Sequence, residues 1–139
     1  MSEQLNQARE LLRNEGYTCV LLKDSTVYHS FDRGVKPLLA FLDAGTDLRG
    51  SCAADKVIGK ATAFLYCLLG VREIYAPVVS EAAVEVLARH GILVIWEQKV
   101  PFIWNHRRTA GCPMETAVRD IDDAETALGA IRETLRNMK

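Results

Sequence analysis

The sequence predicts one α/β domain spanning residues 1–139, a three-layer α/β/α arrangement around a mixed sheet of about five strands. Three observations lead there. Strand-like and helix-like runs alternate in the second half, the pattern of parallel strands joined by right-handed crossovers. Ahead of them, "TCVLLKDSTVYHSF" reads as two short strands about Asp24-Ser25, a hairpin signal. "ILVIWE" is continuous in apolar residues, as a strand buried on both faces should be.

Each element has its own signal. "EQLNQARELLRNEG" carries Leu5, Ala8, Leu11 and Leu12 at helical spacing, and Gly16 ends it. After the hairpin, "GVKPLLAFLDAG" reads as a short helix with Pro37 in its first turn and Gly45 beyond its end. "CAADKVIGKATAFLYCLLG" reads as the longest helix, its stripe formed by Ala54, Val57, Ile58, Ala61, Leu65 and Leu68, with Gly70 as the stop. Gly59 in its middle costs about 1 kcal/mol against Ala, which calls for close packing or close approach of a ligand. "REIYAPVV" is a strand, "SEAAVEVLARHG" a helix capped by Ser80 and Gly91, and "ILVIWE" the buried strand. "VPFIWN" reads as a last strand, which Pro101 confines to an edge or a strand start. "HRRTAG" is a polar loop. "CPMETAVRD" is a short helix, and "DDAETALGAIRETLRNMK" a terminal one with Asp122 and Glu125 at capping-box spacing.

Composition narrows the function. Hydrophobic residues make up 49% and charged residues 25%, an ordinary globular balance. A formal net charge of −1 gives no bulk electrostatic reason to bind nucleic acid. The opening is polar and amphipathic rather than a secretion signal, and "ATAFLYCLLGV" is far short of the roughly 20 apolar residues a membrane span needs. Four cysteines, Cys19, Cys52, Cys67 and Cys112, form no CxxC pair. A disulfide framework does not suit a chain with this much core, and a reducing cytoplasm is the expected setting.

Four stretches carry a family resemblance: "RGVKPLL" (Arg33–Leu39), "GSCAADKVIGKATA" (Gly50–Ala63), "LLGVREIYAPVVSEAAVEVLARHGI" (Leu68–Ile92) and "GCPMETAVRDIDD" (Gly111–Asp123). Together they span roughly residues 15–125 and resemble the domain of unknown function 1893, a small prokaryotic family whose fold is similar to that of cytidine deaminases. Zinc deaminases set an H/C-A-E motif and a P-C-x-x-C motif on two helix starts. The corresponding stretches here read Cys52-Ala53-Ala54 and Pro77-Val78-Val79-Ser80-Glu81. The shuttle Glu and both paired cysteines are missing, and His29, His90 and His106 show no ligand spacing, so no zinc or other cofactor is expected.

The resemblance implies a pocket between helix starts near Cys52 and Ser80, where free amides and the helix dipole favour anions. Ser51, Cys52, Lys56, Ser80 and Glu81 are the expected ligand-binding residues there. Lys56 in a first turn opposes the dipole, so it is either solvated or in contact with an anion. The basic loop "NHRRT" adds Arg107 and Arg108, as solvated surface or as phosphate contacts. Cys112 falls at an N-cap with Pro113 at N1 and Glu115 at N3. A thiol there is favoured as thiolate, but it equally suits a tight turn whose Glu caps the helix. Cys112, Asp55 and Glu115 are the candidate catalytic groups. Trp96 and Trp104 are core or oligomer contacts, or a platform for a base.

The expectation is a zinc-independent, deaminase-like pocket for a nucleotide or other phosphate-bearing small molecule, with group- or proton-transfer chemistry through Cys112, Asp55 or Glu115. The alternative is a non-catalytic sensor or assembly module. The expected partners are the small molecule and a second copy of the chain, through apolar strand-edge residues such as Phe102 and Trp104, rather than nucleic acid or membrane.

Overall fold

The computed structural model describes residues 1–32, 34–103 and 112–138. Among them the chain forms a mixed α/β structure in the order α1 (Glu3–Glu15), β1 (Cys19–Lys23), β2 (Thr26–Ser30), α2 (Lys36–Ala44), β3 (Cys52–Asp55), β4 (Val57–Ile58), α3 (Lys60–Leu69), β5 (Glu73–Ser80), α4 (Glu81–Arg89), β6 (Leu93–Val100), α5 (Pro113–Val118) and α6 (Ala124–Asn137).

Among the described residues the open sheet has six strands, against an expectation of about five. β1 runs antiparallel to β2 and to β3, with Asp24 at φ 53 making the predicted hairpin turn. β3, β4 and β6 run parallel to β5. β3 flanks the first half of β5 and β4 the second. The break between them, at Lys56, faces Pro77, which has no N–H to give to a ladder.

Strand alternation sorts the core onto two faces. Cys19, Leu21, Ala53, Ile74 and Ala76 join the larger cluster, with α3, α4 and α6. Val20, Leu22, Cys52, Ala54 and Tyr75 face the other way, against Leu5, Ala8 and Leu12 of α1. Ser2 caps α1 by accepting from the Leu5 amide, and Gly16 closes it at φ 71.

The predicted long helix from Cys52 to Gly70 is two strands followed by a helix. Its apolar spacing satisfies a helical period by coincidence: Cys52–Asp55 is a short run buried on both faces between β1 and β5, which periodicity alone does not separate from helix. Gly59 is therefore not a mid-helix residue but the N-cap of α3. The predicted buried strand "ILVIWE" is instead the larger part of β6, an edge strand that pairs only with β5 among the described residues and leaves Leu93 and Trp96 exposed. The described residues of "VPFIWN" form no strand of their own: Val100 ends β6, a bend follows at Pro101-Phe102, and Trp104 and Asn105 lie outside the described residues. The cap of α6 is Asp123, accepting from the Thr126 amide, not Asp122 with Glu125. At the end of α4 the C-cap is His90, with Gly91 just beyond.

Candidate functional site

The parallel strands end at one edge of the sheet, where ligands bind in open α/β folds. There lies a cleft of about 520 Å³ lined by Asp55, Lys56, Lys36, Cys112 and Glu115 among mostly apolar neighbours. A second recess of about 420 Å³ adjoins it and shares Ile103, Cys112 and Glu115.

Asp55, the last residue of β3, is buried, and the Tyr66 hydroxyl donates to its Oδ2 at 2.6 Å. Its Oδ1 accepts weakly from the Val57 amide at 3.4 Å. Burial pushes the Asp55 carboxyl up to about 7, against the pull of both hydrogen bonds. No cation pairs with it among the described residues. Near neutral pH this carboxyl can therefore give or take a proton in a largely apolar cleft. Tyr66 lies on α3, and its hydroxyl also reaches the buried Cys19 sulfur at 3.8 Å.

Glu115 makes a different contact from the one its N3 position on α5 predicts. Its carboxylate accepts from the Lys60 amide at 2.7 Å and the Ala61 amide at 2.9 Å, so it caps α3 from outside. A Cβ at Gly59 would lie 2.5 Å from that carboxyl. The Gly59 backbone is extended, at φ −99 and ψ −178, so the requirement is for space rather than for unusual torsion angles. The close approach expected at Gly59 is that of an internal carboxylate. The α4 start is capped as well, Ser80 accepting from the Ala83 amide at 3.1 Å.

The expected residues therefore divide. Asp55, Lys56, Cys112 and Glu115 meet at the cleft, and Ser80 lines the adjoining recess. Ser51 and Cys52 do not: they lie at the opposite end of β3, fully buried. The Cys52 thiol points into the α1 face, within 3.2 Å of both Gln4 Oε1 and Glu73 Oε1 and taking a hydrogen bond from Arg72 at 3.1 Å. No helix starts at Cys52, and Lys56 is in the break between strands rather than a first turn. Glu81 is exposed on α4 and lines neither recess. Arg107, Arg108 and Trp104 lie outside the described residues.

Cys52 is on the wrong face and end of β3 to reach the cleft, and Ser80 spends its hydroxyl on a cap. Among the described residues no three His, Cys, Asp or Glu side chains gather as a metal site.

Two site residues escaped the sequence reading. Tyr66 sits in an apolar run, although a buried phenol needs a hydrogen-bond partner. Lys36 opens α2, so the argument wrongly applied to Lys56, a cation opposing a helix dipole, belongs to Lys36. Neither lysine has a partner among the described residues.

Comparison with known proteins agrees with this architecture. No curated protein matches the chain. A crystal structure of a DUF1893 family protein from Thermotoga maritima, at 2.70 Å resolution, is similar over 99% of this chain and 91% of that one, with a TM-score of 0.85 and 26% identity. Residues 7–135 match the model of the domain of unknown function DUF1893, and the chain belongs to that family.

Proposed function

We propose that the cleft binds a phosphate-bearing small molecule with an apolar or aromatic body, a nucleotide being the leading class. Lys36 and Lys56 hold the anion, and the wall of Val35, Val57, Met114 and Leu135 takes the body. The observation that carries this reading is the pairing of two unpartnered lysines at the cleft with a buried carboxyl that is largely neutral below about pH 7. The cleft lies at the sheet edge where a deaminase-like fold would place its pocket. The helix starts do not serve the anion, because Glu115 and Ser80 already occupy the amides of α3 and α4. Any chemistry in this reading is proton transfer at Asp55 or group transfer at Cys112. Glu115 is a positioning residue.

A thermal-shift series of nucleosides, nucleotides and inorganic phosphate tests the proposal. Nucleotides should raise the melting temperature. Lys36→Ala and Lys56→Ala should each weaken binding roughly tenfold, within the range for charge-assisted hydrogen bonds, and salt should do the same. If no compound moves the transition at millimolar concentration, the assembly-module reading stands instead. That reading has one observation in its favour, the internal use of Glu115.

A further inference from the structure

We infer that two copies of the chain join through β6, edge to edge and antiparallel, about a two-fold axis at Gln98. β6 is eight residues long, with no ladder partner on its outer side among the described residues. Long edges that also expose apolar side chains are normally covered, and here Trp96 is 37% exposed.

The register follows from the backbone. The Leu93 amide donates inward to Arg72 at 3.4 Å. Hydrogen-bonding direction alternates along a strand, so Leu93, Ile95, Glu97 and Lys99 turn their backbone groups toward β5. Val94, Trp96, Gln98 and Val100 turn theirs outward. Pro101 falls on the inward set, so its missing N–H does not interrupt the outer edge.

Placing the axis at Gln98 sets Glu97 of each copy opposite Lys99 of the other, two ion pairs from one strand, and Trp96 opposite Val100. Self-complementarity of this kind is what a two-fold interface requires. Both charges are available. Lys99 has no acidic partner among the described residues, only the Trp96 ring at 5.6 Å. Arg13 and Tyr75 both engage Oε2 of Glu97, leaving Oε1 open. Of the other strands at an edge, β2 has five residues and no Glu-Lys alternation, and β4 has two residues.

Sedimentation of the full chain at tens of micromolar should give twice the 15.5 kDa chain mass. Gln98→Cys should form a disulfide with its own counterpart under mild oxidation, since directly opposed residues lie about 5.5 Å apart. Trp96→Cys should not, because four residues of offset, at about 3.4 Å each, exceed disulfide reach. Lys99→Glu sets carboxylates face to face and should weaken the dimer about tenfold. Adding Glu97→Lys should restore it, which general surface damage would not allow. A monomer at these concentrations overturns the inference. So does a dimer in which Gln98→Cys fails to cross-link, or one that the charge swap does not rescue.

Discussion

At the scale of single residues, Asp55 carries the clearest consequence. Its carboxyl titrates near 7 in the folded chain and near 4 when unfolded. Between those values the folded state holds a proton that the unfolded state has lost. The resulting stabilisation is full below about pH 4 and lost as pH rises through about 7, on the order of 4 kcal/mol in total. Asp55→Asn keeps an acceptor for Tyr66 and removes the buried charge. Urea melts should show it more stable than the parent at pH 8 by roughly 1–3 kcal/mol, with the gain vanishing in acid. Tyr66→Phe removes a hydrogen bond that favours the ionised form, so the pH midpoint of stability should move upward. Asp55 was legible as a candidate because it lies in the stretch where the family resemblance implies the pocket. Its protonation chemistry was not, because that comes from burial in the fold, opposed by a hydrogen bond from Tyr66, eleven residues away.

At the scale of elements, the α3 start shows where sequence reading succeeds and where it stops. Gly59 was recognisable as a position that admits a close neighbour. The neighbour could not be identified, because Glu115 comes from α5, 55 residues along the chain. Cys52–Asp55 was misread because Ala54, Val57 and Ile58, ahead of a true helix, extend its period by chance. What makes Cys52–Asp55 a strand is its pairing with β1 and β5, a long-range fact. A double-mutant cycle tests the borrowed cap. Glu115→Ala should cost about 1–3 kcal/mol. Gly59→Ser alone should also destabilise, by collision with the carboxylate. Together they should recover much of the loss, since a Ser in extended backbone at an N-cap can serve α3 itself once the space is vacated. Additive losses in chemical denaturation would show that Glu115 does not cap α3.

At the scale of the whole molecule, the hairpin and the parallel pair β5 and β6 were readable because each strand there is bounded by its own turn or cap. The exposure of β6 was not, since an apolar run cannot say whether another strand lies beyond it. The asymmetry of the two sheet faces was also hidden. One face carries several helices, the other α1, which sets Leu5, Ala8, Leu11 and Leu12 against the sheet and Arg9 and Arg13 against Tyr75. That thin cover sits directly over the Cys52 thiol, and Ser2 and Gln4 at its leading end close on Cys52 and its neighbour Glu73. A lone helix on one face of a sheet is a natural unit of partial opening, able to lift while the rest stays folded. Cys52 then becomes a chemical clock for that event. Thiol labelling should modify the half-buried Cys112 first. Cys52 should follow at a rate set by the frequency of α1 release, ahead of Cys19, which waits for global unfolding. Leu5→Ala should quicken Cys52 far more than Cys19. Equal acceleration of both would mean that α1 and the sheet come apart as one.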